Sequence, residues 1–135
     1  MTRDAITVQL PTQDGTQSVE VISVTKQAVT QANGISVSKA LENKNNSLQI
    51  SIENTYTVSS TATASSATIK AGDKYPNKML GDLTVTLGAG KTTVIILDDI
   101  ARFENKDGSV NIDFASGFTG NIWATAKRAG LVPAS

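Results

Sequence analysis

Apolar and polar residues alternate with a period of two through much of the chain, in short segments closed off by Gly, Asn and Asp. That period sends successive side chains to opposite faces of an extended backbone, so each segment predicts a strand with one face toward a core. The segments are Ile6/Val8/Leu10, Val19/Val21 running on to Val24, Ile35/Val37, Leu48/Ile50/Ile52, Ala67/Ile69, Leu83/Val85/Leu87, Val94/Ile96, Val110/Ile112/Phe114 and Ile122/Ala124/Ala126. Between them, Asp14-Gly15, Asn33-Gly34, Asn45-Asn46, Gly88-Ala89-Gly90 and Asp107-Gly108 supply residues that tolerate positive φ or close short hydrogen-bonded turns.

These turns predict antiparallel connections. One hairpin is expected to join Ile100–Glu104 to Val110–Phe114, a second to run through Gly117-Phe118-Thr119-Gly120, and a third to pair Asp82–Leu87 with Thr92–Leu97. Helix has little room: Thr25–Ala32 allows one or two turns before the Asn33-Gly34 stop, and Val29 and Thr30 are poor helix formers. The expected fold is all-β, an antiparallel β-sandwich or partly closed barrel of about eight strands with little helix. The 17 threonines suit the solvated faces of such a sheet.

A chain of 135 residues supports one core, so residues 1–135 read as a single domain. Two stretches stand apart from its regular pattern. The first, residues 1–17, is extended and set off by Pro11 and Asp14-Gly15, and is a candidate N-terminal arm that would pair with a neighbouring chain through Ile6, Val8 and Leu10. The second, residues 57–68, is rich in Ser, Thr and Ala and has only Val58 as a large apolar anchor; it reads as an exposed loop or edge hairpin.

Composition narrows the chemistry. There is no cysteine and no histidine, which removes disulfides, thiolate nucleophiles, imidazole bases and the usual Cys/His zinc sites. Twelve basic and 12 acidic residues cancel, and the six aromatic residues are scattered, so neither a polyanion-binding field nor a base-stacking platform is expected. No nucleic-acid partner follows. The longest aliphatic run, Val94-Ile95-Ile96-Leu97, is far short of the roughly 20 residues of a membrane-spanning helix, and Met1–Gln13 lacks the apolar stretch of a secretory signal.

Three motifs resemble reactive sites. Gly88-Ala89-Gly90-Lys91-Thr92-Thr93 ends like a phosphate-binding loop, but Val85 stands where the first glycine is required, and the β-branched residues after Lys91 favour a strand over the necessary helix. Asp98 and Asp99 are neighbours in sequence and, on a strand, would face opposite sides, so they do not form a glycosidase pair; neither do Asp107 and Asp113 show a defined arrangement. Asn105, Asp107, Ser109, Asn111 and Asp113 place oxygens at alternate positions, yet Gly108 falls at position four where a calcium loop has its glycine at six. Turn chemistry explains each, and no catalytic, cofactor or metal residue is assigned; the expectation is a binding protein and not an enzyme.

Tyr75-Pro76 and Leu80 put apolar residues in an apparent loop, where they either plug the open end of the sandwich or present an anchor to a partner. Phe118 is a further interface candidate, and Trp123, between Ile122 and Ala124, is expected in the core.

From Asn43 to Ala126 the chain resembles a family of small tailed-bacteriophage head proteins. The resemblance rests on Ile52-Glu53-Asn54-Thr55, Ile69-Lys70-Ala71-Gly72-Asp73 with Tyr75-Pro76, Leu80-Gly81-Asp82-Leu83-Thr84-Val85, Ala101-Arg102-Phe103, Asp107-Gly108-Ser109-Val110-Asn111-Ile112-Asp113-Phe114 and Gly117-Phe118-Thr119-Gly120-Asn121-Ile122. It implies a β-sandwich that decorates or cements the capsid shell by binding the major capsid protein, as a homo-oligomer with a trimer favoured. Its site would be the virion head, after synthesis in the host bacterial cytoplasm. A head–tail joining, neck or tail protein is the alternative within that resemblance; from the residues alone, a carbohydrate-binding β-sandwich module is a further one.

Overall fold

The computed structural model describes residues 3–9, 12–14, 19–21, 23–38, 48–73, 81–97 and 102–126. Its strands are β1 (Asp4–Gln9), β2 (Thr12–Asp14), β3 (Val19–Val21), β4 (Gln27–Ala28), β5 (Ile35–Ser38), β6 (Leu48–Asn54), β7 (Thr57–Val58), β8 (Thr61–Ala62), β9 (Ser65–Ile69), β10 (Leu83–Leu87), β11 (Thr92–Leu97), β12 (Val110–Phe114) and β13 (Gly120–Ala126). Among the described residues there is no helix, and the fold is all-β. The segment expected to allow a helical turn, Thr25–Ala32, instead holds β4 and a turn in which the Asn33 and Gly34 amides donate to the Thr30 carbonyl at 3.0 and 3.3 Å.

One sheet runs β10-β9-β12-β5-β1-β13-β6-β11, with β4 added beside β13. It folds over on itself into a barrel-like sandwich, closed through β1 and, among the described residues, left unpaired between its two end strands, β10 and β11. Two small ribbons, β2-β3 and β7-β8, stand off the main sheet.

Register explains the core. Ile112 lies opposite both Ile35 and Ile69, Val110 opposite Val37, and Phe114 opposite Ala67. In the other half Ile50 lies between Ala124 and Ile95, Ile52 opposite Ile122, and Leu48 opposite Leu97. All of these are buried, and together with Ile6, Leu87, Phe103 and Phe118 they form a single cluster between the two inner faces. Because the side-chain period is two, a slip of one residue in any of these pairings would turn its apolar set to solvent.

Within the segment expected as an arm, residues 4–9 are paired into their own chain's sheet. Asp4–Thr7 pair in parallel with Ile35–Ser38, and Val8 and Gln9 pair in parallel with Ala124 and Thr125, so β1 passes from one half of the sandwich to the other. Ile6 is 7% exposed and Val8 packs against the same core, which ties both to their own chain; Leu10 lies outside the described residues. Arg3 fastens the start of the strand, its Nη1 donating to the Ile112 carbonyl at 3.1 Å and to Asp113 Oδ1 at 2.5 Å. These two parallel pairings are the exceptions in a main sheet otherwise antiparallel.

The three expected hairpins are replaced by longer-range pairings. Strand β10 bonds to β9 and β11 to β6, at opposite ends of the sheet; β12 and β13 are separated by β5 and β1. Toward Val110, Glu104 makes only an isolated bridge, across a turn closed by Asn105 N–H to the Ser109 carbonyl at 2.8 Å; Ile100 lies outside the described residues. The turns exist where expected, but two of them carry the chain between layers instead of folding a strand back on its neighbour. The Ser/Thr/Ala-rich stretch divides likewise: residues 57–62 form the exposed β7-β8 ribbon, whereas β9 is an interior strand with Ala67 and Ile69 fully buried.

Candidate interaction surface

Two of the segments that resembled reactive motifs form turns. Gly88–Lys91 is a turn with Lys91 N–H donating to the Gly88 carbonyl at 3.1 Å, and the chain continues directly into β11, with no helix to face a phosphate. In the Asn105–Ser109 turn, Asp107 Oδ1 accepts from the Ser109 hydroxyl at 2.6 Å and its N–H at 3.0 Å; these bonds, the hydroxyl foremost, hold the Asp107 carboxyl below its ordinary value. Asp113 pairs with Arg3. Asp98 and Asp99 lie outside the described residues. Among the described residues no three carboxylates group closely enough to hold a metal ion.

Other carboxylates are engaged in the same way. Asp82 accepts from the Ala71 N–H at 2.7 Å and from Lys70 at 2.8 Å, which lowers its pKa and raises that of Lys70. Glu53 accepts from Asn121 Nδ2 at 2.7 Å and from Lys26 at 3.2 Å; the amide first and the ammonium second lower its pKa. These are exposed or half-exposed tethers between strands, where ion pairs contribute little to stability.

What the fold does present is a weakly charged outer face on the β13-β6-β11 half. Three rows cross it in register: Thr92-Glu53-Asn121, Val94-Ser51-Trp123 and Ile96-Gln49-Thr125. Ser51 is only 6% exposed although it points outward, covered by Val94 and Trp123 on either side. Trp123 is half-buried on this face, not in the core as expected, and the Lys26 ammonium lies 5.4 Å from its ring centre. Val94 and Ile96 are 51% and 56% exposed. The alternation Val94/Ile96 suggested that these two face inward; pairing with β6 instead turns Ile95 and Leu97 to the core. A four-residue run apolar at every position suits either face, so only the partner strand settles which one is buried.

Beside Trp123 the sheet forks. β6 occupies one edge of β13 throughout, and the other edge pairs with β4 at Asn121–Ile122 and with β1 at Ala124–Thr125. The gap is a cleft of about 310 Å³ lined by Thr7, Gln9, Thr25, Lys26, Gln27 and Trp123. Gln9 spans its mouth, its Nε2 donating to the Thr25 carbonyl at 2.9 Å while its Oε1 accepts the Thr25 N–H at 2.8 Å, so a side-chain amide replaces a peptide of the ladder.

One end of the sandwich is gathered around Asn54, which is 2% exposed. Its Nδ2 donates to the carbonyls of Thr63, Gly88 and Leu87 at 2.9, 3.1 and 3.2 Å, and its Oδ1 accepts the Tyr56 N–H at 2.9 Å. The β7-β8 ribbon and the β10-β11 turn are thereby held against β6.

Of the residues singled out for contact with a partner, Ile6 and Val8 are built into the sheet, and Phe118 is 2% exposed, its ring stacked on Phe114 with centres 4.7 Å apart. Phe118 is therefore a core residue and offers no surface. Leu10, Tyr75, Pro76 and Leu80 lie outside the described residues. The residues that sequence reasoning missed are Val94 and Ile96 as surface groups; the signal was present, since a run apolar on both faces with one buried side leaves the other exposed. The chain matches no family model, no curated protein and no solved structure.

Proposed function

We propose that this protein is a structural subunit of a tailed-phage head, a decoration protein that binds the major capsid protein as a homo-oligomer and works by holding surfaces together, without catalysis. The observation that carries the reading is the combination of an outer face bearing Val94 and Ile96 with end strands, β10 and β11, whose residues are uncharged throughout. A free-standing β-protein blunts its sheet edges with charge, proline or bulges, whereas a subunit of an assembly uses them for contact. The absence of net charge fits a role in a dense protein shell, and the resemblance from Asn43 to Ala126 supplies the phage context.

The carbohydrate-binding alternative has less support. Phe103, Phe114 and Phe118 are buried, and Trp123 has Lys26 against its ring where a sugar would stack. A head–tail joining role shares the same surfaces and differs in symmetry.

The test is to add purified protein to phage heads assembled without it and image them. Copies distributed over the shell at a fixed ratio to the capsid protein, with increased resistance of the heads to heat, are expected. Copies confined to one vertex would give the joining role instead, and no binding to assembled heads would refute the proposal.

A further inference from the structure

Strand β11 ends the sheet, and among the described residues it is hydrogen-bonded on one edge only, to β6. Its pairing with β6 runs unbroken from Thr92 to Leu97, without a bulge, and its sequence Thr-Thr-Val-Ile-Ile-Leu contains no charge, proline or glycine. Among the described residues none of the devices that protect a solvent-facing edge is present. Val94 and Ile96, the two most exposed large apolar side chains among the described residues, stand on the outer face of this strand.

The strand is also self-complementary. In the sequence it is preceded by Lys91 and followed by Asp98-Asp99. By sequence order, an antiparallel copy brings the Lys91 end of one strand to the end of the other that Asp98-Asp99 follow, twice over, whereas a parallel copy brings like-charged ends together. Antiparallel pairing centred on Ile95 places Ile95 opposite Ile95 on the inner face, and Val94 opposite Ile96 on the outer face, at both sides of the two-fold axis. Residues directly opposite in a ladder point to the same side, so this register keeps every inward residue inward and sets the four exposed side chains side by side in two cross-strand pairs.

We propose that two copies of this chain associate edge to edge through antiparallel β11 strands, with Ile95 on the two-fold axis, making one continuous sheet across the dimer. The occupant of the free edge is a second copy, because the charge order and apolar pattern of the strand complement themselves. The inference rests on the homo-oligomer of the proposed function and names its interface; it is tested on the purified chain alone, so a failure to dimerise is read separately from a failure to bind heads.

Light scattering coupled to gel filtration is expected to give a mass that rises with concentration from one chain to two. Ile96→Lys, at an exposed position that leaves the core untouched, weakens the dimer on the order of tenfold, since each interface loses two cross-strand Val94–Ile96 apolar pairs. Val58→Lys, exposed on the β7-β8 ribbon, leaves it unchanged. Register is read by disulfide trapping, for which the chain offers no competing cysteine. A mixture of Val94→Cys and Ile96→Cys chains cross-links, because directly opposite Cα atoms lie about 4.5–5.5 Å apart, within disulfide reach. Either variant alone does not, because the diagonal spacing is about 7–8 Å. A chain that stays monomeric at high concentration, a trimer, an Ile96→Lys dimer as tight as the parent, or equal cross-linking by the single variants would each overturn the proposal.

Discussion

Replacing Asn54 with alanine removes a side chain that serves β6, the β7-β8 ribbon and the β10-β11 turn together. Its amide donates to the carbonyls of Thr63, Gly88 and Leu87, its oxygen accepts the Tyr56 N–H, and the side chain sits where water does not reach, 2% exposed. Each buried polar group left without a partner costs about 1–3 kcal/mol. The Leu87 carbonyl, whose bond to Asn54 is fully buried, is one such group, and the part-buried Tyr56 N–H is a second with partial access to water. The expected loss is about 2–4 kcal/mol, or roughly 6–16 °C in Tm for a domain of this size. Urea unfolding followed by far-ultraviolet circular dichroism measures it. Asn54→Asp sharpens the test. Its carboxylate keeps the bond to Tyr56 but faces three carbonyl oxygens, which favours the protonated acid and raises its folded-state pKa above the unfolded value. The penalty is therefore small at low pH and grows as pH rises through the unfolded carboxylate range, the reverse of ordinary acid unfolding. A loss below about 0.5 kcal/mol for Asn54→Ala, the range of an ordinary surface substitution, would refute the role assigned to this residue.

Gly72 lies so close to the backbone of the Glu104 turn that an added Cβ would fall 2.0 Å from the Glu104 carbonyl oxygen; Gly72→Ala is expected to cost about 3 kcal/mol or more by thermal melting, and a neutral result would mean that the two segments separate freely. The β7-β8 turn holds Ser59 and Ser60 at φ of 51° and 65°, a conformation suited to Asn-Gly, so the double change Ser59→Asn, Ser60→Gly should stabilise the protein by about 0.5–1 kcal/mol in urea titrations. Glu53, Asp82 and Asp107 have folded-state pKa values lowered by hydrogen bonds from Asn121, the Ala71 N–H and the Ser109 hydroxyl respectively. Depressed acids contribute stability above their unfolded values, near pH 4, that is lost as pH falls through the folded values. A triple Glu53→Gln, Asp82→Asn, Asp107→Asn variant should thus lose less Tm between about pH 5 and 2 than the parent; an identical acid profile would remove these groups as its cause.

The sequence by itself determined the class of the fold. Period-two patterns at Ile35/Val37, Leu48/Ile50/Ile52, Ala67/Ile69 and Val110/Ile112/Phe114 each form a strand with those residues inside, because a half-buried strand advertises its inner face locally. Turn positions were legible for the same reason: Asn33-Gly34 and Asp107-Gly108 reverse the chain, with Gly34 and Gly108 at φ of 71° and 87°. Tertiary structure alone decided which strands pair. A turn bends the chain whether the next strand returns alongside or crosses to the opposite layer, and the choice rests on burial against residues far away in sequence. So β10 and β11, joined at Gly88–Lys91, lie at opposite ends of the sheet, and β1 enters between β5 and β13. The same reason governs the candidate surface. Val94-Ile95-Ile96-Leu97 is apolar on both sides, and only the register with Leu48–Asn54 sends Ile95 and Leu97 inward and leaves Val94 and Ile96 at the edge where a second chain can meet them.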